Sequence, residues 1–235
     1  MARFAIYFAP APDNALWRFG SGVIGYDAAS GADVSYLLPA GQTEGAWAAL
    51  TAEPRRYGFH ATLKAPFELA PGVSPDALLG AAERLAASLA GIRIARLQVS
   101  EIGRFIALVP SEPSPALLAI ADECVTRLDH LRAPLSDKDR ARRLQSTLTV
   151  HQIALLDRYG YPYVLDEFRF HMTLTGPIAH APLRGSVRSA LTTLYAEKVP
   201  PGALAIDRLA VFHQPEWDQR FQILATFPLN RPRGA

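Results

Sequence analysis

The sequence contains a single cysteine, Cys124, among its 235 residues. One cysteine cannot form an internal disulfide, and it cannot build the thiolate clusters that hold structural metal ions. Cys124 lies in the segment ALLAIADECVTRL, whose apolar spacing is typical of a helix. We therefore predict that it is a small core residue.

Long apolar runs are also lacking. No segment approaches the roughly 20 consecutive apolar residues that a membrane-spanning helix needs. The N-terminal MARFAIYFAPAP carries a strand-length run, Phe4–Ala9, and not the longer apolar core of a secretory signal. We expect no membrane partner, and we predict a cytoplasmic location because no targeting signal is evident.

The chain has little excess charge of either sign. Its 24 lysines and arginines nearly balance 22 acidic residues, which leaves a formal net charge of +2 at pH 7. A long nucleic acid usually requires a strongly basic stripe, so we expect no such partner. Arginines could still bind a small anionic substrate. The composition, 49% hydrophobic and 20% charged, is that of a globular protein.

Two similar segments are the most informative feature that the sequence does contain. Tyr57–Phe67 reads YGFHATLKAPF, and Phe168–Ile178 reads FRFHMTLTGPI. Aligned without gaps, they share the residues at Phe59/Phe170, His60/His171, Thr62/Thr173, Leu63/Leu174 and Pro66/Pro177. A histidine followed two residues later by a threonine therefore occurs twice in the same apolar setting.

Each segment is followed by the same predicted elements, a helix and then a hairpin. The first strand after the helix begins 34 residues after His60, at Ile94, and 33 residues after His171, at Leu204. Matching motifs with matching sequels favour an internal duplication. We predict one two-lobed domain over residues 1–231, with repeat units at about 57–110 and 168–229, a mostly helical connection at 111–167, and a C-terminal tail at 232–235.

The individual elements follow from caps, prolines and periodicity. The predicted strands are Arg3–Ala9, Gly58–Lys64 ended by Pro66, Ile94–Ile102, Arg104–Pro110, Leu204–Phe212 and Phe221–Leu229. The predicted helices are Ser74–Ala90, Ser114–His130, Leu144–Arg158 and Leu183–Lys198, with a weaker signal near Thr43–Ala52. Residues 11–56 are otherwise turn-rich. We interpret the charged stretch Ser136–Arg143 as a solvated helix start or loop, with a substrate-covering loop as the alternative.

Side chains alternate faces along a strand, so the histidine and threonine of each motif share one face. Two histidines suit acid–base catalysis at phosphorus, because neutral imidazole and imidazolium coexist near neutral pH. The threonine hydroxyls would donate to the non-bridging phosphate oxygens. Such a reaction requires no metal and no cofactor, and we predict neither.

The motifs have two other interpretations. The histidine of a single histidine-x-threonine motif in a strand is usually a packed or surface residue without a catalytic role, but the repetition of the motif argues against that interpretation. Zinc binding lacks a third ligand at a clear spacing and would leave the threonines without a role. We therefore assign His60 and His171 as catalytic residues, and Thr62 and Thr173 as phosphate-binding residues.

At these residues the chain resembles the 2H phosphoesterase superfamily, which is named for its two H-x-[ST]-x motifs. The motifs here are His60-Ala61-Thr62-Leu63 and His171-Met172-Thr173-Leu174. The wider strings RRYGFHATLKAPF and FRFHMTLTGPI, with RFAIYFAP at the start, are similar to a bacterial, DUF1045-like branch of unknown substrate, described as phosphonate-metabolism proteins. The resemblance covers most of the chain.

The resemblance implies an α+β fold of the duplicated, two-lobed 2H phosphoesterase type, with antiparallel sheets flanking a central cleft and helices outside. Characterised members of the superfamily act on 2′,3′-cyclic nucleotides, cyclic phosphates of ADP-ribose type, 2′-5′ RNA linkages or RNA ends, and the resemblance carries these roles over only to His60, Thr62, His171 and Thr173. Which histidine is the acid and which is the base depends on the orientation of the substrate, and the sequence leaves this open.

Four further residues are candidates for substrate binding: Lys64, Arg169, Tyr7 and Arg3. The lysine follows the first motif on the same face and could neutralise phosphate, with a solvated strand end as the alternative. Arg169 lies two residues before His171 and therefore shares its face of the strand, whereas Gly58 holds the equivalent position in the first motif. The two residues of the first strand share a face and could line the cleft, or could lie on an edge-strand surface.

The sequence thus predicts a cyclic phosphodiesterase that acts on a small cyclic or 2′-linked phosphoester. A ribose-derived cyclic phosphate linked to phosphonate metabolism is one candidate substrate. A non-catalytic nucleotide- or phosphate-binding module is the alternative from another class, although binding alone would favour arginine over histidine. RNA-end processing or ligation is a third, and the near-neutral charge argues against a large RNA. The oligomeric state is not predicted.

Overall fold

Eleven strands and seven α-helices occur within residues 2–230, the part of the chain that the computed structural model describes. The strands are β1 (Arg3–Phe8), β2 (Tyr26–Asp27), β3 (Ala32–Asp33), β4 (Ala61–Phe67), β5 (Ile92–Ile94), β6 (Leu97–Ile102), β7 (Phe105–Pro110), β8 (Met172–Thr173), β9 (Leu204–Ile206), β10 (Arg208–Gln214) and β11 (Gln222–Pro228). The helices are α1 (Ala15–Ile24), α2 (Glu44–Arg55), α3 (Pro75–Ser88), α4 (Pro115–Arg127), α5 (Asp137–Arg143), α6 (Val150–Tyr159) and α7 (Ala181–Lys198). Met1, residue 231 and the predicted tail 232–235 lie outside the described residues.

Seven of the strands form one antiparallel sheet, in the order β11-β10-β1-β4-β8-β7-β6. The predicted α+β class with antiparallel strands is confirmed. The strands that we expected on two sides of a cleft are joined at the centre of this sheet, where Ala61 of β4 pairs with Met172 of β8. β2 with β3, and β5 with β9, form two short two-stranded ribbons.

The strands of the two sequence repeats are interleaved in the sheet. β4 of the first repeat pairs with β1, which pairs in turn with the hairpin β10–β11 of the second repeat. β8 of the second repeat pairs with the hairpin β6–β7 of the first repeat. We call β4-β1-β10-β11 the first wing and β8-β7-β6 the second wing. Each wing therefore contains strands from both repeats.

A local twofold relation passes through the junction of the wings. Ala61 and Met172 hold the same position in the two motifs, and they pair with each other in antiparallel register. The equivalent strands β5 and β9 also pair antiparallel, with Arg93 opposite Ala205. Antiparallel pairing of equivalent residues is what a twofold axis between two strands produces. Both motifs are thus presented to the same place from opposite directions.

The first histidine strand differs from the prediction at both ends. We expected Gly58–Lys64 ended by Pro66, but β4 runs from Ala61 to Phe67 with Pro66 inside it. The two-residue β8 pairs with β4 only near its start within the described chain, so the later part of β4 has an edge where proline is tolerated. The register of β4 against β1 also shifts at two places, and these shifts interrupt the regular alternation of its side chains between the two faces of the sheet.

Most predicted helices are found in place. α3 follows the N-cap Ser74, whose side chain accepts a hydrogen bond from the amide of Ala77. The helix predicted near Leu144–Arg158 is found as α6, but it begins later than expected, because Leu144 is the C-cap of α5 and α6 starts only after the capping box of Thr149. α1 lies in the segment that was expected to be turn-rich.

One hydrophobic core joins the two wings and extends from Phe4 to Leu229. Cys124 is fully buried in it, and burial raises the pKa of its thiol to about 12, so its predicted role as a core residue is confirmed. Within residues 2–230, no helix has both the length and the apolar character needed to cross a bilayer. The cytoplasmic location stays a prediction.

Candidate active site

The two motif histidines lie at the junction of the wings, each one residue before its strand. Ala61 pairs with Met172, so extending this register by one residue each way sets each histidine opposite the threonine of the other motif. Opposite residues of an antiparallel pair point to the same face. The structure thus brings together the four residues predicted for the reaction, and all of them line one cavity: His60, Thr62, His171 and Thr173.

Both histidines are held by the same kind of hydrogen bond. The Nδ1–H of His60 donates to the carbonyl of Gly58 at 2.9 Å, and the Nδ1–H of His171 donates to the carbonyl of Arg169 at 2.8 Å. A ring nitrogen that faces a carbonyl carries the proton, so Nε2 of the neutral ring is left as an acceptor. The hydroxyl of Thr62 lies 3.2 Å from Nε2 of His60 and can donate to it. Each ring therefore presents a basic nitrogen away from its backbone.

Glycine is required where the backbone holds His60. Gly58 has a φ of +77°, and a Cβ at this position would lie 2.5 Å from the Cβ of Ala28. An L-residue with a side chain would be strained in this conformation and would also clash. The difference between Gly58 and Arg169, which the sequence suggested as a mark of the substrate, is therefore in part a backbone requirement.

Aromatic rings fix the planes of the two imidazoles. Tyr7 stacks on His60, with ring centroids 3.7 Å apart and planes 16° from parallel. Phe105 lies beside His171 at 5.7 Å in a tilted arrangement. Tyr7 is buried, and burial raises its pKa well above the ordinary value, so its hydroxyl stays protonated at neutral pH. The stack leaves His60 little freedom to rotate.

Burial lowers the pKa of both histidines. The pKa of His60 falls to about 4 because desolvation disfavours the imidazolium; the Gly58 carbonyl opposes this shift and the charge of His171 adds to it. Burial also lowers the pKa of His171, against the opposing effect of the Arg169 carbonyl. Both rings are therefore neutral at pH 7 in the free protein. An anion between them would stabilise the imidazolium and raise both pKa values.

The cavity lined by these side chains has a volume of about 910 Å³, within the range of about 300–1,000 Å³ that is usual for small-molecule sites. Its charged lining contains more cations than anions: Arg3, Arg104, Arg142, Arg143, Arg169, Glu53 and Glu167. Among the described residues, no three His, Cys, Asp or Glu side chains converge as a metal site would require. The cavity as a whole thus suits a small, anionic molecule.

Three of the four further candidates line this cavity, namely Tyr7, Arg3 and Arg169. Arg3 is buried, and its Nε donates to the side-chain oxygen of Gln214 at 2.7 Å. Arg169 is exposed and supports His171 through its carbonyl. These placements are compatible with substrate binding, which stays a prediction for each of them.

Lys64 is not brought into the cavity. It is buried, and its Nζ donates to the carboxylate of Asp129 at 2.9 Å and to the carbonyl of Val125 at 3.2 Å. The prediction assumed that Lys64 shares a face with Thr62, but the register of β4 shifts between these two residues. Lys64 instead ties β4 to the end of α4.

Sequence reasoning missed the part of the cavity that comes from the connection between the repeats. Arg142, Arg143, Tyr161 and Tyr163 all line it. The available signal was the charged stretch Ser136–Arg143, which proves to be a helix with no buried residue, α5. The solvated helix start is confirmed, and this helix carries two arginines to the cavity, whereas the substrate-covering loop stays a prediction.

The fold and the paired histidines define an α+β protein with one cleft built from two motifs. The sequence profile of DUF1045, described as a protein of unknown function, matches residues 62–222, and the chain belongs to this family. The matched range starts at Thr62 and includes the whole second motif.

Two curated relatives match nearly the whole chain. The chain is 38% identical over 213 residues to the ribose 1,5-bisphosphate phosphokinase PhnN of Janthinobacterium sp. (strain Marseille), covering 90% of this chain and 47% of that protein. It is 32% identical over 225 residues to the protein of the same name from Laribacter hongkongensis (strain HLHK9), covering 94% of this chain and 50% of that protein. The chain therefore spans about half the length of these relatives.

Solved structures of E. coli LigT align with most of the chain. The complex with 3′-AMP aligns with a TM-score of 0.45 and 13% identity, covering 97% of this chain and 98% of that chain. The complex with phosphate aligns with a TM-score of 0.44 and 13% identity over the same shares.

Proposed function

We propose that the protein is a metal-independent phosphodiesterase, a hydrolase of the 2H type that acts on a small cyclic or 2′-linked phosphoester. The observation that carries the proposal is the matched pair of Nδ1–H···O=C bonds at His60 and His171. They leave two Nε2 atoms as acceptors beside one cavity, which Thr62 and Thr173 also line. Two imidazoles with opposite protonation can supply both proton transfers of a phosphodiester cleavage.

In the proposed reaction, a water oxygen attacks phosphorus while one Nε2 takes the proton of that water. The bond from phosphorus to the leaving oxygen breaks, and the other histidine gives its Nε2 proton to this oxygen. A cyclic phosphodiester is thereby opened to a phosphomonoester with a free hydroxyl, and exchange with solvent restores the two rings. The hydroxyls of Thr62 and Thr173 donate to the non-bridging oxygens, where negative charge is concentrated.

The electrostatics favour His60 as the base and His171 as the acid. When the anionic substrate raises both pKa values, the ring with the smaller burial penalty gains the proton first. Burial lowers the pKa of both rings, that of His60 to about 4, and positive charge on His171 contributes to the lowering at His60. Protonation of His171 therefore keeps His60 neutral and able to accept a proton.

The substrate class is the finer part of the proposal. A ribose-derived cyclic phosphate linked to phosphonate metabolism is our first candidate, and the names of the two relatives, which mention ribose 1,5-bisphosphate, support it. We do not carry over the kinase activity in those names. The chain spans about half of those proteins, and its sequence contains no Gly-Lys pair and hence no P-loop of the form GxxxxGK[ST].

A non-catalytic phosphate-binding module is the competing proposal, and RNA-end processing is a third. A binding module would protect the protein from thermal unfolding when phosphate is added, yet would turn over no ester. An RNA-processing enzyme would prefer oligonucleotides to small cyclic phosphates. The confined cavity and the near-neutral net charge favour the small substrate.

The test is an assay of the whole protein against cyclic phosphates and 2′-5′ dinucleotides in the presence of EDTA. We expect turnover to persist with the chelator. His60→Ala and His171→Ala should each lower kcat by roughly 10²–10⁴, the usual scale for loss of a general acid or base. Loss of activity in EDTA would refute the proposal that the reaction needs no metal ion.

His130→Ala is the matched control, because His130 is exposed and lies outside the cavity. It should keep the wild-type rate. Full activity in either motif variant would refute the paired-histidine mechanism. Phosphate binding without any turnover would favour the binding module instead.

A further inference from the structure

Three arginines gather on one side of the cavity without enough carboxylates to balance them. Arg3 comes from β1, whereas Arg142 and Arg143 come from α5 in the connection between the repeats. Arg142 pairs with Asp139 at 2.9 Å. Within residues 2–230, Arg3 and Arg143 form no ion pair with any carboxylate, including the two glutamates of the cavity. The cluster thus carries uncompensated positive charge.

Arg143 is the member with the least satisfied donors. Its Nε is buried and has no hydrogen-bond partner among the described residues. Its guanidinium lies over the ring of Tyr161, 5.3 Å from the centroid, and burial lowers its pKa. A partly buried cation whose buried donor is unused is costly unless a partner supplies acceptors and negative charge. The geometry of this residue therefore suits a ligand that provides both.

Arg3 and Arg142 meet at the same indole ring. The Cζ of Arg3 lies 4.0 Å from the ring centroid of Trp217, and the Cζ of Arg142 lies 5.0 Å from it. Burial lowers the pKa of Arg3, and the charge of Arg142 adds to the shift. The acceptor that Arg3 binds, the side-chain oxygen of Gln214, is neutral. Two cations are thus held near each other on one ring, and of the two only Arg142 forms an ion pair among the described residues, with Asp139.

Tyr57 connects this cluster to the reacting group. Its ring lies 6.4 Å from that of His60, and its hydroxyl interacts electrostatically with both Arg3 and Arg143. Tyr7, which stacks on His60, also interacts electrostatically with Arg3, so the arginines lie on the His60 side of the cavity. A molecule whose phosphodiester sits between the two histidines could reach the arginines from there, because all of these residues line one cavity.

We propose that Arg3, Arg142 and Arg143 form a second anion site, which binds a phosphate monoester group carried by the same molecule as the phosphodiester. Guanidinium groups suit this role because their planar array of donors matches two phosphate oxygens at once. The inference rests on the proposed function and narrows it. Substrates are sugar or nucleoside cyclic phosphates that carry a second phosphate at their far end.

Calorimetric titration of the whole protein with ribose 1,5-bisphosphate and with ribose 5-phosphate tests the site without the need for turnover. The wild type should bind the bisphosphate at least about tenfold more tightly than the monophosphate, since it alone can occupy both sites. Arg143→Met and Arg142→Met should each weaken bisphosphate binding by about 10- to 100-fold, the scale of a hydrogen bond to a charged group. The ratio of the two affinities should then fall toward one.

Arg104→Met is the matched control, because it removes the same charge from another part of the same cavity. It should keep the wild-type ratio of the two affinities. An equal loss of bisphosphate affinity in this variant would show that the preference comes from the overall positive potential of the cavity and not from a specific site. An unchanged ratio in both Arg143→Met and Arg142→Met would overturn the site. Arg142 is half exposed, so its substitution leaves the core intact; thermal unfolding of each variant checks this.

A turnover measurement separates this inference from the proposed function. Adenosine 2′,3′-cyclic phosphate is compared with the same compound carrying a 5′-phosphate. If neither these two compounds nor the cyclic phosphates and 2′-5′ dinucleotides of the activity assay are hydrolysed and the bisphosphate preference persists, the proposed function fails while the anion site stands. If both are hydrolysed with equal kcat/KM and the preference is absent, the anion site fails while the proposed function stands.

Discussion

Single residues set the protonation state of the site. His60 is enclosed by the ring of Tyr7 and by the backbone at Gly58, and its pKa falls to about 4. His171 is lowered for the same main reason, burial. Both pKa shifts arise because the buried imidazolium loses its hydration, and a bound anion can compensate for that loss. In the free protein both histidines are therefore neutral at pH 7, and an anion placed between them would favour their charged forms.

NMR titration of the histidine rings tests this at the residue scale. In the free protein, His60 should titrate near pH 4 and be neutral at pH 7. Added inorganic phosphate should raise the apparent pKa values of His60 and His171, because the anion stabilises both imidazolium forms. His151 is the internal control, since it is exposed and its pKa is raised by Asp166 outside the cavity. Its titration should not respond to phosphate.

Two results would contradict the enclosed geometry. One is a pKa of His60 at or above 6.5, the ordinary value, in the free protein. The other is a phosphate-dependent shift of the same size in all histidines, which would indicate a change in ionic strength and no bound anion.

At the scale of elements, alternation along the strands was enough to predict which motif residues share a face. It placed His60 beside Thr62 correctly, because the two residues are adjacent on one side of a locally regular strand. It failed at Lys64, two residues further on, because the register shift arises from pairing with β1. That pairing joins residues distant in the sequence, and a local pattern carries no information about it.

The missed helix α1 has a similar cause. Three glycines, at positions 20, 22 and 25, made its sequence typical of turns, because each interior glycine weakens a helix by about 1 kcal/mol. Packing determines the outcome: a Cβ at Gly20 would lie 2.2 Å from the ring of Phe59. The glycine that obscures the helix in the sequence is thus what lets α1 contact the residue before His60.

Gly20→Ala is therefore expected to destabilise the protein although alanine is the better helix former. The added methyl group must displace the Phe59 ring, at a cost of about 1–3 kcal/mol for overpacking. Urea unfolding measures this cost. We also expect a lower kcat, because Phe59 precedes His60 directly.

Gly185→Ala in α7 is the matched control for this prediction. A Cβ at Gly185 meets nothing within 4 Å, so this variant should gain about 0.5–1 kcal/mol from helix propensity. Equal effects of the two substitutions would show that Phe59 has room to move and that α1 does not constrain the motif.

For the whole molecule, the interleaving of the repeats has consequences for stability. Each motif strand completes the wing that holds the other repeat's hairpin, and one core runs through both wings. Neither wing can lose its structure without removing a strand that carries one half of the site. We therefore expect the two wings to unfold together, although chains of this length often unfold through intermediates.

Leu108→Ala in β7 and Leu209→Ala in β10 test this coupling from the two wings. Both leucines are fully buried, and each truncation should remove about 2–5 kcal/mol from the free energy of unfolding. Hydrogen exchange read on peptides of β6–β7 and of β10–β11 should accelerate equally in both wings for either variant, because exchange of core amides then proceeds through one global opening. Val150→Ala, at a side chain that is 86% exposed, should change neither wing. Acceleration confined to the substituted wing would mean that the wings are separate folding units, and that their junction at the two histidines can open while either wing remains folded.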